Sequence, residues 1–206
     1  MKCHPYGDGA LLVDLEIDDA PDRREQTHRV ADALRSRLPK TDIVVGAGSI
    51  AVVGVGVFDD LEGLVAEAMT APKRVAPAPT AHRIDVVYDG SDLEDIAKRT
   101  GLTPAEVVSV HTSRDYVVEL IGFLPGFAYL GPLDPRLIVG RRETPRPRVA
   151  AGSVAIAGAY TGVYPAASPG GWHLLGRAVD APLFDPRRVP PALLRPGDCV
   201  RFVAYG

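Results

Sequence analysis

The first third of the chain has apolar spacings that predict alternating strands and helices. Residues 10–17 (ALLVDLEI) are rich in branched and apolar side chains, which is typical of a β-strand. Farther along, Val30, Leu34 and Leu38 recur every four residues, with charged residues on the other faces. This spacing places the three residues on one face of a helix, and Pro39 predicts where that helix ends.

A second pair of strands and a second helix follow. Residues 43–57 contain two strand-like pieces, IVV and SIAVVGVGV, and residues 60–69 have helical apolar spacing. The buried face of that helix is predicted at Leu61, Leu64, Val65 and Ala68. The order strand, helix, strand, strand, helix matches a ferredoxin-like split βαβ unit that lacks only its last strand. We therefore predict a small α+β domain over residues 1–75.

A proline-rich segment separates this domain from the rest of the chain. Residues 70–80 read TAPKRVAPAPT and contain three prolines, a composition that favours a semi-rigid linker. We predict that the linker extends to about residue 81 and that a second domain occupies residues 82–206.

The second domain opens with a predicted strand at residues 84–88 and two short helices. Ser91 and Thr103 each stand three residues before a glutamate, which is the capping-box spacing for a helix start, and Gly101 predicts a helix end. From Tyr116 onward, short strand-like stretches alternate with Gly and Pro turns: YVVELIGF, SVAIAG, TGVYP, WHLLGRAV and CVRFV. This pattern predicts a mainly β domain that closes, or nearly closes, into a barrel.

Composition and charge exclude several classes of protein. The 206 residues carry a formal net charge of -3, which argues against a general nucleic-acid binder, since such proteins carry a basic surplus. No apolar run approaches the ~20 residues that span a bilayer, so no membrane segment is predicted. Cys3 and Cys199 lie far apart and the histidines are scattered. We therefore predict no metal site and interpret the cysteines as reduced thiols of a cytoplasmic protein.

The segment GAGSIA at residues 46–51 matches the loose dinucleotide-binding pattern GxGxxA. That fingerprint also requires a helix to begin at the turn, because the helix N-terminus holds the pyrophosphate. Residues 49–57 are strand-like instead, so we interpret the segment as a turn between strands and not as a nucleotide site.

Four arginines fall within eight residues: Arg141, Arg142, Arg146 and Arg148. Guanidinium groups bind carboxylates and phosphates through paired hydrogen bonds, and Thr144 adds a hydroxyl among them. Pro145 and Pro147 restrict the chain on both sides of Arg146, which lowers the entropy lost when an anion binds. An anion site is one interpretation of this cluster, and a solvated basic loop is the other.

Two glycine-rich turns and one histidine are further candidates. Residues 168–172 (SPGGW) contain Gly170 and Gly171, which would let backbone N–H groups approach an oxyanion closely, although a tight turn needs the same residues. Residues 122–127 (GFLPGF) carry the same ambiguity, because their two phenylalanines suit either a pocket or a barrel core. His111 follows the second short helix of this domain and is either structural or a titrating site residue.

Three runs in the second domain resemble one known family: GFLPGFAYLGPLDPRL, RRETPRPRVAAGSVAIAG and TGVYPAASPGGWHLLGR. They are similar to the B subunit of bacterial 5-oxoprolinase, also called allophanate hydrolase subunit 1, a family that includes the sporulation-kinase inhibitor KipI. The resemblance covers nearly the whole chain, although in the first domain only YGDGALLVDL is recognisable. One departure is Ala150, where the family often has proline before Ala-Gly-Ser.

The resemblance implies a protein with a small α+β domain and a cyclophilin-like β-barrel domain. It also implies a heteromeric complex with the C subunit, of the allophanate hydrolase subunit 2 or KipA type, and with the A subunit. That complex uses ATP to convert 5-oxo-L-proline, a small cyclic amide, to L-glutamate, and the resemblance assigns no ATP site to this chain. A KipI-like inhibitor of a sensor histidine kinase is the alternative, and a prolyl isomerase would rest on barrel analogy alone.

The matched motifs, together with the arginine cluster and His111, give two sets of candidate site residues and leave the catalytic group unknown. The candidates for substrate or anion binding are Arg142, Thr144, Arg146, Ser168, Gly170 and Gly171. The candidates for lining the pocket are His111, Pro125, Gly126, Phe127, Ser153 and Trp172. We expect Arg142 and Arg146, with the backbone of residues 168–171, to bind the carboxylate or phosphate of a small substrate at the interface with the C subunit.

Overall fold

The computed structural model describes residues 1–17, 20–54, 61–70 and 78–206. Their contacts divide the chain into two compact units, Met1–Pro77 and Ala78–Gly206. Each unit buries its own apolar core. Parts of the strand-like piece at residues 49–57 and of the predicted linker lie outside the described residues.

The N-terminal unit combines an antiparallel sheet with two helices. Its elements in chain order are β1 Lys2–Pro5, β2 Ala10–Asp14, α1 Ala20–Arg37, β3 Asp42–Val45, β4 Ser49–Val53 and α2 Leu61–Thr70. The sheet order is β1-β2-β4-β3, and each neighbouring pair is antiparallel. Val30 and Leu34 of α1 share a core with Val13, Ile50 and Val65. This confirms the helical face predicted from the four-residue spacing.

Strand β1 is the main difference from the prediction in this unit. Its sequence, KCHP, lacks the branched side chains that reveal a strand, and pairing with β2 holds it in the sheet, with Cys3 opposite Val13. It occupies the sheet edge beside β2. The remaining elements follow the predicted order, and the ferredoxin-like arrangement stays a prediction.

Residues 46–49 form a tight turn between β3 and β4. The N–H of Gly46 donates to the carbonyl oxygen of Ser49 at 2.7 Å, and Gly48 has a φ of +85°, which glycine adopts without steric cost. Strand β4 continues directly from Ser49. The predicted turn between strands is therefore confirmed, and the helix that a dinucleotide fingerprint requires does not begin there.

The C-terminal unit is a β-barrel that carries two short helices. Its elements in chain order are β5 Ala81–Val87, α3 Leu93–Thr100, α4 Pro104–Thr112, β6 Asp115–Ile121, β7 Ala128–Gly131, a 3-10 turn Pro135–Leu137, β8 Arg146–Val149, β9 Ser153–Ala157, β10 Tyr160–Val163, β11 Ser168–Gly170, β12 His173–Ala178 and β13 Cys199–Ala204. Seven strands close in the order β10-β7-β6-β13-β5-β12-β9, while β8 and β11 form a separate two-stranded sheet. The predicted closed barrel is confirmed.

Strand β9 lies between two apolar clusters, because all five of its side chains are buried. Val154 and Ile156 belong to the main barrel core, whereas Ala155 and Ala157 belong to a second cluster that includes Val149 of β8. Successive side chains of a strand point to opposite faces, so both faces of β9 are covered. The small β8–β11 sheet thus contributes to a core layer of its own beside the barrel.

Two of the three helix start and stop signals predicted in this unit are confirmed. Helix α4 begins with the predicted capping box, in which Thr103 and Glu106 bond each other's backbone N–H. Helix α3 ends at Gly101, which adopts a left-handed φ of +69°. The capping box predicted from Ser91 is wrong, since Asp92 is the N-cap residue and its side chain makes no capping bond. The Asp92 carboxylate has other partners.

Candidate functional site

The carboxylate of Asp92 is the centre of a buried ion-pair cluster. Arg142 Nη1 donates to its Oδ1 at 2.9 Å, and Arg146 Nη2 donates to the same oxygen at 2.7 Å. The backbone N–H of Leu174 donates to Oδ2 at 2.7 Å. The two arginines predicted to bind an anion together therefore do meet on a carboxylate. That carboxylate belongs to the protein itself, and its side chain is only 5% exposed.

The charges of this cluster do not cancel. Burial disfavours the charged form of Asp92, but the hydrogen bonds from Arg146 and from the Leu174 N–H outweigh it, so the pKa of Asp92 lies below its ordinary value. Asp92 is ionised at neutral pH, and two guanidinium groups face this one carboxylate. One positive charge is left over among the three groups. An incoming anion would meet it at the partly exposed side chains of Arg142 and Arg146.

Four segments bring these groups together: the start of α3, the start of β12, the loop before β8, and the first residue of β8. The N–H of Arg142 donates to the carbonyl oxygen of Gly171 at 2.8 Å, and Gly170 lies opposite Arg146 in the β8–β11 pairing. Ser168 is buried on β11 and pairs with Val149. The arginines and the SPGG turn, predicted separately, thus lie in one region of the unit.

Packing explains one of the two paired glycines. A Cβ at Gly170 would lie 2.3 Å from Tyr164 Oη and 3.0 Å from the ring, and the Tyr164 side chain is buried. A Cβ at Gly171 would meet Pro145 at 3.7 Å and the carbonyl oxygen of Arg142 at 3.9 Å, both ordinary contacts. Gly170 is therefore required by its neighbour, whereas close packing does not require Gly171.

The remaining polar candidates of this loop lie on the surface. Thr144, Arg141 and Arg148 are exposed. Over residues 78–206, neither the Arg141 nor the Arg148 side chain has an ion-pair or hydrogen-bond partner. The basic loop thus contains two kinds of arginine, two bound to Asp92 and two in solvent.

Two of the six predicted pocket-lining residues, Phe127 and Trp172, belong to a buried aromatic cluster. Phe127 lies with its ring centroid 5.3 Å from that of Trp172 and 5.3 Å from that of Tyr164, in edge-to-face contacts. Ser153 is buried as well. Gly126 has a φ of +80°, and a Cβ there would lie 2.8 Å from Phe184 Cβ, so this position requires glycine. Pro125, in contrast, is exposed.

His111 lies in the barrel core, apart from the arginines. Tyr88 Oη is 2.7 Å from its Nδ1, and Thr161 Oγ1 is 2.8 Å from its Nε2. The single hydroxyl proton of Thr161 is donated to the carbonyl oxygen of Ala155, so Thr161 accepts from Nε2–H and Nδ1 accepts from Tyr88. Burial lowers the pKa of His111 to about 3. His111 is a neutral, fully bonded structural group.

His173 completes the surroundings of Asp92, and we call Asp92, Arg142, Arg146 and His173 the Asp92 cluster. The His173 side chain is 2% exposed, and its Nε2 lies 3.0 Å from the carbonyl oxygen of Gly140. Burial lowers the pKa of His173. Sequence reasoning identified neither Asp92 nor His173 as a site residue. The sequence signal that could have pointed to Asp92 was its negative charge, opposite to that of the arginine cluster. Asp92 stands at a helix start about 50 residues before that cluster.

Comparison with known proteins identifies the family of this chain. The family model for the carboxyltransferase domain, subdomain C and D, matches residues 1–194. The 5-oxoprolinase B subunit of Escherichia coli O157:H7 is 39% identical over 212 residues, which cover 98% of this chain and 95% of that protein. This chain belongs to the family of 5-oxoprolinase B subunits. The predicted resemblance is thereby confirmed.

Solved structures of similar proteins show the same fold within longer chains. The crystal structure of TTHA0988 matches this family member with a TM-score of 0.81 and 34% identity over 96% of the chain. The Kluyveromyces lactis urea carboxylase matches with a TM-score of 0.77 over 99% of the chain, and at 22% identity it shows the fold alone. The present chain spans 40% of the TTHA0988 chain and 22% of the urea carboxylase chain.

Among the residues that the structure describes, no three His, Cys, Asp or Glu side chains are grouped so that they could hold a metal ion. Both cysteines are free thiols. No helix in the described ranges has the length and apolar character needed to cross a membrane.

Proposed function

We propose that this chain is the B subunit of an ATP-dependent 5-oxoprolinase-type amidohydrolase, which converts 5-oxo-L-proline to L-glutamate together with the C and A subunits in the cytoplasm. The observation that carries the proposal is the 39% identity to the Escherichia coli 5-oxoprolinase B subunit over nearly the full length of both chains. The chain acts as one part of a complex, and ATP is used by that complex at a site that we do not assign to this chain.

The chemistry requires activation of a stable amide. A five-membered lactam resists hydrolysis, and phosphorylation of its amide oxygen by ATP supplies a better leaving group. Such a reaction needs the substrate held in a fixed orientation, because positioning supplies a large part of the rate enhancement. A carboxylate on the substrate is a suitable group by which to hold it.

In this chain Arg142 and Arg146 bind the substrate carboxylate, and the backbone of residues 168–171 assists them. Asp92 accepts hydrogen bonds from Nη1 of Arg142 and Nη2 of Arg146. The other N–H groups of both guanidiniums remain as donors for a substrate. The leftover positive charge favours a monoanion. Each charge-assisted contact to a substrate carboxylate contributes about 1.5–3 kcal/mol to binding.

Reconstituted complex with Arg146→Ala tests the proposal. We expect 5-oxoproline-dependent ATP hydrolysis to lose about tenfold or more in kcat/KM, which corresponds to the loss of one charge-assisted contact. Arg148→Ala is the matched control, because Arg148 lies two residues farther along β8, is exposed, and makes no ion pair among the described residues. Circular dichroism of each variant verifies folding. An unchanged rate for Arg146→Ala removes Arg146 from the site, and a wild-type complex without 5-oxoproline-dependent ATP hydrolysis removes the function.

A further inference from the structure

Three buried polar atoms of the Asp92 cluster lack a hydrogen-bond partner. They are Arg142 Nε, Arg146 Nη1 and His173 Nδ1. A buried donor or acceptor without a partner loses its hydrogen bonds to water and gains none in return, so folded proteins contain few of them. Three such atoms in one cluster indicate that something outside the chain completes their hydrogen bonds.

Two of the three atoms belong to side chains that meet at the Asp92 carboxylate, and the third belongs to the residue before Leu174, whose N–H donates to the same carboxylate. Both guanidinium groups donate to Asp92 Oδ1, at 2.9 and 2.7 Å. Oδ2 accepts from the N–H of Leu174, the residue that follows His173. The His173 ring also interacts electrostatically with Asp92. Asp92 therefore links the segments that carry the three atoms.

The hydrogen-bond role of His173 Nδ1 follows from its other nitrogen. Nε2 lies 3.0 Å from the carbonyl oxygen of Gly140, and a carbonyl oxygen can only accept, so Nε2 carries the proton. Burial lowers the pKa of the ring and keeps it neutral at pH 7. Nδ1 is then an acceptor. The Asp95 carboxylate, 3.9 Å from Nδ1, offers another acceptor and no donor.

The cluster therefore presents two free donors and one free acceptor. A plain anion would satisfy the arginines and leave Nδ1 unpaired, whereas an amide offers an N–H together with oxygen acceptors. We propose that Arg142, Arg146 and His173 form a recognition site for a small amide whose N–H adjoins a carbonyl or carboxylate group. The arginines bind its oxygens, and His173 Nδ1 accepts its N–H.

The choice of 5-oxo-L-proline as the probe rests on the proposed function. Its lactam N–H lies between the ring carbonyl and the carbon that bears the carboxylate, so it supplies the required donor and acceptors. Nδ1, like the two arginine atoms, has no exposed surface of its own, so binding requires side chains to move. Asp95, 3.9 Å from Nδ1, is 44% exposed and pairs with Arg99 at 2.7 Å. Arg142 and Arg146, 32% and 22% exposed, form the outer part of the site.

Calorimetric binding to the full chain, and to the assembled complex, tests the site with two compounds of the same shape. The first is 5-oxo-L-proline, and the second is its lactone analogue, 5-oxotetrahydrofuran-2-carboxylate, in which a ring oxygen replaces the N–H. We expect the lactam to bind about tenfold more tightly, because the lactone leaves Nδ1 facing another acceptor. Equal affinities, or no binding of either compound to chain or complex, overturn the proposal.

Two substitutions of His173 separate recognition from structure. His173→Gln places an amide near the Nε2 position, so it keeps the bond to Gly140 and loses the acceptor at Nδ1. We expect this variant to bind both compounds equally. His173→Asn places an amide oxygen near the Nδ1 position, so it keeps the preference for the lactam and loses the Gly140 bond and some stability. A lactam preference that survives in His173→Gln overturns the role of Nδ1.

The outcomes for the site and for the proposed function are distinguishable. A complex that hydrolyses 5-oxoproline while neither chain nor complex prefers lactam to lactone removes this site and leaves the function standing. A preference for the lactam in a complex without 5-oxoproline-dependent ATP hydrolysis removes the function and leaves the site. The comparison of the two compounds on the wild-type protein remains valid even where a variant does not fold.

Discussion

Arg146 donates from Nη2 to the carboxylate of Asp92 at 2.7 Å, although the two residues are 54 positions apart in the chain. The contact joins the first residue of β8 to the start of α3. Asp92 also accepts from the backbone of β12. One carboxylate therefore holds together three elements of the C-terminal unit that are distant in sequence.

Asp92→Asn should weaken the fold of this unit. The substitution leaves two guanidinium groups facing a neutral amide, and breaking a buried ion pair from one side costs about 3 kcal/mol. The midpoint of urea unfolding should fall accordingly. Asp115→Asn is the matched control, since Asp115 pairs with Arg201 at 2.6 Å but both side chains are largely exposed. Similar midpoints for the two variants would show that the Asp92 cluster is not a structural centre.

The paired glycines of the SPGG turn should respond differently to alanine. Gly170→Ala would place a Cβ 2.3 Å from Oη of the buried Tyr164, so the ring or the backbone must shift and about 1–3 kcal/mol of stability should be lost. Gly171→Ala makes an ordinary 3.7 Å contact with Pro145 and should stay within about 0.5 kcal/mol of the wild type. Thermal unfolding of the two variants side by side provides the measurement. An unchanged Gly170→Ala would refute the contact with Tyr164.

Thr161→Val should break the hydrogen-bond chain through the barrel core. The valine is close in shape, but it leaves the Nε2–H of His111 and the carbonyl oxygen of Ala155 without that hydroxyl. A buried donor without its partner costs about 2 kcal/mol. Thr161→Ser retains the hydroxyl and should lose less stability in urea unfolding. A larger loss for serine than for valine would contradict the stabilising role of the two hydroxyl hydrogen bonds.

The stability of the barrel should decrease as the pH falls below 6.5. Burial lowers the pKa of His111 from 6.5 to about 3, so the unfolded chain binds a proton at a higher pH than the folded chain does. The contribution of His111 is complete above pH 6.5 and is lost as the pH falls from there towards 3. Between pH 7 and pH 5 this amounts to about 2 kcal/mol.

Two measurements check this pH dependence. Nuclear magnetic resonance of the wild-type protein should show that the His111 ring stays neutral at pH 5. Urea unfolding of His111→Gln should show a shallower dependence on pH over the same interval, because the titrating group is gone. A His111 ring that titrates near pH 6.5 in the folded protein would refute the prediction.

Local signals in the sequence predicted the parts of the fold that local chemistry determines. The capping box of Thr103 and Glu106 and the left-handed Gly101 depend on neighbours within a few residues. Strands β6, β9, β12 and β13 are revealed by branched and apolar runs. Strands β8 and β11 were not predicted, since RPRV and SPG lack such a pattern and form strands only by pairing with each other.

The sequence predicted only the part of the candidate site that lies within one short segment. The sequence contains four arginines within eight residues, and this density indicates anion binding. It does not show which carboxylate lies opposite them, because Asp92 is brought there by the closure of the barrel unit and not by a nearby position. The neutral role of His111 likewise depends on Tyr88 and Thr161, which lie 23 and 50 residues away.

The parallel pairing of β5 with β13 has a consequence for synthesis of the chain. These strands are the first and the last of the barrel, and residues 81–86 align one by one with residues 199–204. A ribosome-bound chain that lacks β13 leaves the facing edges of β5 and β6 without their partner, and exposed strand edges promote aggregation. A nascent chain arrested before Cys199 should therefore remain sensitive to protease, and protection should arise only after β13 has left the exit tunnel.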